Sequence, residues 1–217
     1  MTRSERPWKV DPTRTITVVS GLPRSGTSMM MQMLEVAGLE LATDHKRVAD
    51  SQNPNGYFEL EAVKRLPKDP SFLASVVGKA VKIVSPLLSY LPPEYNYRVI
   101  VMERDSGEVM SSQRAMLDPL GGDETSAPDE RILAEAFHCE REKAKVWLAE
   151  QANIRSCHVS YQQALSSPAE IGETIFRFLS ETGAFGKRGA DAEFQTRVQR
   201  RIAAVVDPAL YRQRNRR

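Results

Sequence analysis

A short stretch near the start of the chain has the residue types and the spacing of a phosphate-binding loop. The run 16–20 is rich in β-branched residues, four residues separate Gly21 from Gly26, and the run 29–34 is apolar. In such a strand-loop-helix unit, successive backbone N–H groups and a helix N-terminus surround phosphate oxygens. The pattern therefore predicts a phosphate site directly after the first strand.

Position 27 departs from the loop of nucleoside triphosphatases. Those loops carry a lysine there that reaches the β- and γ-phosphates, whereas this chain has Thr27. Arg24, three residues upstream, is the cation of the loop. Backbone donors, hydroxyl groups and one offset guanidinium favour a donor with less phosphate charge and without a required metal ion. This composition argues against an ATPase or a GTPase.

The rest of the chain predicts an α/β fold, a P-loop three-layer arrangement with a central, mainly parallel sheet flanked by helices. Runs of apolar residues bounded by turn residues predict further strands at 80–84, 98–104 and 154–159. Helical spacing and capping residues predict helices at 27–37, 59–66, 70–78, 108–116, 129–151, 167–178 and 191–206, with loops at 44–56 and 118–130. Strands that alternate with helices favour parallel pairing, and ligands in such folds bind at the carboxyl ends of the strands.

Length and composition fit one domain, 1–217, in a chain of 217 residues that is 41% hydrophobic and 27% charged. We expect residues 1–14 to form a polar arm. Residues 187–217 contain nine Lys or Arg and three acids, so this basic C-terminal helix and tail has a net charge of +6. The rest of the chain has a net charge of −4, which gives +2 in total.

No apolar run reaches the length of a membrane span, and no signal core follows the first residues. We expect a cytoplasmic protein with reduced Cys139 and Cys157, without a nucleic acid partner, and leave its oligomeric state open.

Several separated segments resemble the sulfotransferase family, whose P-loop enzymes transfer a sulfuryl group from 3′-phosphoadenosine 5′-phosphosulfate. Pro23-Arg24-Ser25-Gly26-Thr27-Ser28 is similar to the family's loop for the donor's 5′-phosphosulfate. Arg104, at the end of a predicted strand, and Ser112, eight residues later, match the family's pair for the donor's 3′-phosphate. The resemblance implies that these residues bind the donor.

Two further segments extend the resemblance to about residues 16–180. The strand before Tyr161 looks like the family's strand that ends in a tyrosine near the adenine, so Tyr161 is expected to stack on the base or bond to it. Asn53-Pro54-Asn55-Gly56-Tyr57-Phe58-Glu59 looks like a segment common in bacterial members. The loop 44–56 that contains part of this segment is expected to lie over the site.

Departures from the family pattern concern the base and the C-terminal clamp. Lys82-Ile83-Val84-Ser85-Pro86 resembles the segment of the cytosolic enzymes, but Val84 stands where their catalytic histidine would be. The resemblance therefore leans toward the branches that use a glutamate as base. A basic glycine-containing segment that closes over the 3′-phosphate has its nearest candidate in Lys187-Arg188-Gly189.

The catalytic residues expected from this comparison are two cations and one carboxylate. Arg24 and Lys82 would contact the 5′-phosphosulfate and stabilise the leaving phosphate. Glu59 is the first candidate for the base that takes the acceptor's proton, and Asp44 and His45 are second candidates. The acceptor is left open among carbohydrates, lipids, small metabolites and peptides.

Two other functions compete with sulfuryl transfer. A kinase that uses ATP would share the fold, although Thr27 and the lack of a convincing acidic magnesium ligand at a strand end count against it. A nucleotide-binding module without catalysis would keep the loop and lack the base. Detection of sulfate transfer to any acceptor separates this last possibility from an enzyme.

Overall fold

The computed structural model describes residues 10–50, 53–110 and 130–207. Strands and helices alternate along these ranges, as follows: β1 (Thr15–Gly21), α1 (Thr27–Val36), β2 (Ala80–Lys82), β3 (Asn96–Glu103), α2 (Glu130–Glu150), β4 (Ile154–Ser160), α3 (Tyr161–Ser166), α4 (Pro168–Glu181) and α5 (Ala192–Ala203). Short 3₁₀ helices occupy Glu61–Arg65, Ser71–Val76, Ser85–Tyr90 and Gly186–Ala190. Within these ranges, no helix combines the length and the apolarity needed to cross a bilayer.

Four parallel strands form one sheet in the order β2-β1-β3-β4. β1 lies in the middle and is buried along its whole length, with Val18 paired to Val81 on one side and to Val99 on the other. Because the strands are parallel, their carboxyl ends share one edge of the sheet, and the loop after β1 leaves from this edge. The sheet confirms the α/β fold class predicted from the sequence.

Each face of the sheet has its own hydrophobic core, because side chains alternate along a strand. On β3, Ile100 and Met102 pack with apolar residues of α1, α4 and α5. Val99 and Val101, on the opposite face, pack with residues of α2 and of the 3₁₀ helices between β1 and β3. Helices therefore cover both faces, which is the three-layer arrangement.

Some local elements differ from those predicted from the sequence. The two short segments predicted as helical at 59–66 and 70–78 form 3₁₀ helices, Glu61–Arg65 and Ser71–Val76. Helix α3 was not expected; the Ser160 side chain caps it by accepting a hydrogen bond from the backbone N–H of Gln163 at 3.3 Å. The chain after β3 is helical over 106–110, and the rest of the predicted helix 108–116 lies outside the described residues. The same holds for residues 1–9 of the predicted arm, 118–129 of the predicted loop and 208–217 of the tail.

Two glycines with almost the same φ flank helix α1. Gly26 precedes the helix with φ 97°, and Gly38 follows it with φ 96°. A Cβ atom at Gly38 would meet nothing within 4 Å, whereas one at Gly26 would lie 2.4 Å from Cδ2 of Tyr161. The start of α1 therefore packs directly against the ring of Tyr161, at the junction of β4 and α3.

This pair of glycines separates backbone strain from packing. We expect Gly38→Ala to lower the free energy of unfolding by about 1 to 2 kcal/mol, because an L side chain disfavours positive φ. Gly26→Ala carries the same strain and also forces Tyr161 to move, which adds roughly 1 to 3 kcal/mol. Urea unfolding of both variants measures the difference, and equal losses would show that the ring moves aside without cost.

Candidate functional site

The predicted phosphate-binding loop, called the phosphate loop below, turns sharply between the end of β1 and the start of α1 at Thr27. Gly21, Arg24 and Gly26 all have positive φ, at 145°, 72° and 97°. The backbone N–H of Ser25 donates to the carbonyl of Leu22 at 3.1 Å, which closes the turn. Among the described residues, no side chain caps the start of α1. The predicted phosphate loop therefore presents uncapped helix N–H groups, the donors that bind anions in such loops.

Ser25 adds a hydroxyl group to the floor of this loop. The residue is 1% exposed, and its Oγ has no hydrogen-bond partner among the described residues. A Cβ atom placed on Gly21 would come within 2.4 Å of this Oγ, so glycine is needed for the close approach. A buried hydroxyl without a partner is unfavourable in a folded protein, and a bound oxygen or a water would satisfy it.

Lys82 brings a cation to the first turn of α1 from the end of β2. Its Nζ donates to Oγ of Ser28 at 3.1 Å and to the backbone carbonyl of Tyr57. The side chain is 8% exposed. Because Thr27 occupies the position of the usual P-loop lysine, Lys82 places an ammonium group beside the loop from a different strand.

Burial weakens the basicity of Lys82. Desolvation lowers the pKa of the ammonium group from 10.5 to about 8, while the carboxylate of Glu59 opposes this shift and the Arg47 and Arg24 guanidinium groups add to it. An anion bound at the loop would favour the charged form of Lys82.

Residues 43–50 and 53–59, together called the strap below, cross the phosphate loop. The Asn53 side-chain amide donates to Oγ of Ser28 at 3.0 Å, so Ser28 accepts hydrogen bonds from both the strap and Lys82. The Tyr57 hydroxyl donates to the Asp50 carboxylate at 2.8 Å, and the Arg47 guanidinium lies 3.5 Å from the centre of the Tyr57 ring. The loop predicted at 44–56 thus lies over the start of α1 and is attached to it.

The three candidates for the proton-accepting base, Asp44, His45 and Glu59, all belong to the strap. Oε1 of Glu59 lies 3.1 Å from an Arg47 nitrogen and 3.9 Å from Nζ of Lys82, and the side chain is 36% exposed. Hydrogen bonds from the backbone N–H groups of Glu61 and Lys46 lower the pKa of Asp44. These bonds give the Asp44 carboxylate a structural role at the start of the 3₁₀ helix Glu61–Arg65.

His45, the remaining candidate base, is exposed and has φ 54°. Its backbone N–H donates to Oγ1 of Thr43 at 3.3 Å. Of the three candidates, Glu59 is the one that the structure places within 4 Å of the buried Lys82 ammonium.

Arg104 and Tyr161 meet at the opposite side of the phosphate loop. Arg104 donates from Nη1 to the backbone carbonyl of Arg24 at 3.0 Å and from Nε to the Glu108 carboxylate at 2.9 Å. Its guanidinium lies 4.3 Å from the centre of the Tyr161 ring, and the side chain is 8% exposed. Burial raises the pKa of Tyr161, and Arg104 opposes that shift. One face of the ring is therefore covered by a cation.

The remaining predicted donor residues are placed as follows. Pro23 lies in the phosphate loop, Thr27 is the first residue of α1, and Ser112 lies outside the described residues.

The predicted C-terminal clamp lies far from the phosphate loop. Arg98, near the amino end of β3, donates to the carbonyl of Thr182 at 2.9 Å, so the end of α4 lies at the amino edge of the sheet. Lys187-Arg188-Gly189 follows there, and a Cβ atom on Gly189 would lie 3.2 Å from the Ser180 side chain. This segment is thus at the edge opposite the phosphate loop and does not join the site.

A pair of titratable side chains that the sequence analysis did not name lies beside the site. His158 on β4 has Nδ1 2.8 Å from Oε1 of Glu103, the last residue of β3. Glu103 is an acid at a strand end next to the phosphate loop, which the sequence reading did not single out. The signal was present, because Glu103 immediately precedes Arg104 and ends the same apolar run.

The chain matches no protein-family model and no curated protein sequence. The function must therefore be inferred from the residues of the site and their geometry.

The lowered pKa of Lys82 predicts a pH dependence of stability. Between about pH 8 and 10.5 the unfolded chain holds a proton at this position that the folded chain has released, so the free energy of unfolding rises with pH in this window. We expect wild type to gain up to about 3 kcal/mol relative to Lys82→Met across that range. Urea unfolding of both proteins at pH 7.5 and at pH 10 measures the gain, and parallel pH profiles would contradict a depressed pKa.

Proposed function

We propose that this protein is a sulfotransferase that transfers a sulfuryl group from 3′-phosphoadenosine 5′-phosphosulfate to a hydroxyl or an amine. The observation that carries the proposal is the contact of Lys82 with Ser28 at 3.1 Å. Through this contact, Lys82 supplies a cation to a phosphate loop that has Thr27 in place of the triphosphatase lysine. Arg104 and Tyr161 stand on the other side of the same loop, which supports a nucleotide that spans both.

The residues present suit the two ends of such a donor. The loop Pro23-Arg24-Ser25-Gly26-Thr27-Ser28 would receive the 5′-phosphosulfate on uncapped N–H groups. Oγ of Ser25, which has no partner among the residues that the structure describes, would gain one. Arg104 and Ser112 would receive the 3′-phosphate, and the adenine would stack on Tyr161 or bond to it.

The reaction requires little covalent chemistry from the protein. An oxygen or nitrogen of the acceptor forms a bond to sulfur, and the bond from sulfur to the bridging oxygen of the 5′-phosphate breaks. The electron pair leaves with that oxygen, which yields adenosine 3′,5′-bisphosphate. Arg24 and Lys82 stabilise the negative charge, and Glu59 takes the acceptor's proton.

A kinase that uses ATP is the alternative from the same fold. Glu103 does place an acid at the end of β3, where P-loop enzymes hold magnesium, but its carboxylate is paired with His158 at 2.8 Å. Thr27 also lacks the charge that a triphosphate requires.

A nucleotide-binding module without catalysis is the second alternative. The acceptor class stays open, and we place the activity in the cytoplasm, which fits the free Cys139 and Cys157.

Nucleotide preference tests the donor directly. We expect wild type to bind adenosine 3′,5′-bisphosphate more tightly than ATP with magnesium in calorimetric titrations. Arg104→Ala should weaken the bisphosphate about tenfold or more because a charge-assisted contact is lost, and Ser112→Ala should weaken it less. Lys64→Ala, at a side chain that is 71% exposed and away from the loop, is the matched control. Preference for ATP with magnesium would refute the proposed donor.

Turnover tests the base. Glu59→Gln keeps the size of the side chain and should lower transfer about 10²-fold or more, with bisphosphate affinity unchanged. Incubation with radiolabelled donor and a cell extract measures total transfer. Glu61→Gln, at an exposed glutamate paired with Lys64, is the control. Unchanged turnover in Glu59→Gln would remove this residue from the mechanism.

A further inference from the structure

Arg47 on the strap lies between an aromatic ring and the carboxylate of Glu59. Its guanidinium donates from Nη1 to Oε1 of Glu59 at 3.1 Å, and its Cζ lies 3.5 Å from the centre of the Tyr57 ring. Tyr57 is 5% exposed, and its hydroxyl donates to the Asp50 carboxylate. Because the ring is buried and its hydroxyl is anchored, it gives the guanidinium a fixed surface to lie on.

The backbone of Glu59 is held separately from its side chain. The Glu59 carbonyl accepts hydrogen bonds from Oγ1 of Thr43 at 3.0 Å and from the backbone N–H of Asp44 at 3.2 Å. The side chain is 36% exposed, so burial alone does not select one rotamer. Among the described residues, the one hydrogen bond to the carboxylate comes from Arg47. Arg47 therefore determines where this carboxylate lies.

The two oxygens of the Glu59 carboxylate have different surroundings. Oε1 accepts the hydrogen bond from Arg47 and lies 3.9 Å from Nζ of Lys82. Within the described ranges, Oε2 accepts no hydrogen bond. A general base needs an oxygen within hydrogen-bond reach of the proton that it removes. Arg47 thus holds the carboxylate through one oxygen and leaves the other for the acceptor.

The ion pair of Arg47 with Glu59 adds little to the stability of the fold. The two side chains are 41% and 36% exposed, and water screens a pair in such a position. Ordering two long side chains also costs conformational entropy, which offsets the attraction. The pair is therefore better explained by the geometry that it gives to the carboxylate than by fold stability.

We infer that Arg47 is a positioning residue for proton transfer, which holds the Glu59 carboxylate beside Lys82 so that Oε2 takes the acceptor's proton. The inference rests on the proposed function, in which Glu59 is the base. Arg47 acts through Glu59 in this assignment and contacts no reacting atom.

Transfer assays of Arg47 variants test this role. Radiolabelled 3′-phosphoadenosine 5′-phosphosulfate and one preparation of cell extract supply donor and acceptor at pH 7 to wild type, Arg47→Met and Arg47→Lys. We expect Arg47→Met to lower the rate at saturating donor about tenfold, with the KM for the donor unchanged. Arg47→Lys should lose less, because an ammonium group keeps the charge but not the planar contact with Tyr57. Lys46→Met is the matched control, because Lys46 is an exposed cation at the adjacent position.

A double variant shows whether Arg47 acts through Glu59. Arg47→Met combined with Glu59→Gln should transfer no more slowly than Glu59→Gln alone, because the carboxylate that Arg47 positions is already absent. Lys82 does not confuse this comparison. The Arg47 guanidinium helps to lower the pKa of Lys82 to about 8, so its loss raises that pKa and leaves Lys82 protonated at pH 7.

The outcomes separate the two levels of the proposal. Wild-type turnover in Arg47→Met, or a double variant about tenfold slower than Glu59→Gln, would overturn the role of Arg47 while leaving sulfuryl transfer intact. Weaker binding of adenosine 3′,5′-bisphosphate or a large loss of stability in urea would also overturn it, because Arg47 would then have a structural role. Absence of transfer by wild type would overturn the proposed function and this inference together.

Discussion

The arrangement of this site depends on one buried ammonium group. Lys82 ends a strand of only three residues, yet its Nζ reaches Ser28 on α1 and the carbonyl of Tyr57 on the strap. Removing a charge from water is unfavourable unless polar partners replace the water. Here the start of α1 and the strap supply those partners to a lysine that extends from β2. The short strand β2, the start of α1 and the strap are therefore held in one geometry by the need to solvate a single cation.

The opposite side of the loop combines a second buried cation, Arg104, with a close contact at Gly26. The Tyr161 ring fits against Gly26 because that position lacks a Cβ atom, and Arg104 lies over the ring while it bonds to the carbonyl of Arg24. One guanidinium thus connects the end of β3 with the backbone of the phosphate loop. The two sides together give the loop fixed neighbours at both ends, which is the condition for preorganised anion binding.

The sequence allowed prediction of what depends on neighbouring residues. The strand, loop and first helix followed from β-branched residues, two glycines and an apolar run, and the remaining strands followed from apolar runs closed by turn residues. Helix α3 was missed because one serine cap starts it within a stretch read as strand and loop.

Contacts between distant residues could not be predicted in the same way. Lys82 and Ser28 are 54 positions apart, and nothing local indicates that they bond. The position of Lys187-Arg188-Gly189 depends on which edge of the sheet α4 reaches, and residue types do not reveal that. The pairing of Glu103 with His158 follows from strand register, which becomes visible only when β3 and β4 are side by side.

Arg24 combines an unfavourable backbone conformation with the one cationic side chain of the phosphate loop. Its φ of 72° is a conformation in which glycine would be comfortable and an arginine is strained by about 1 to 2 kcal/mol. A glycine there would relax the backbone and leave the loop without its own cation. Selection for fold stability alone would favour glycine at position 24, so an arginine there agrees with the anion-binding role that we propose for it.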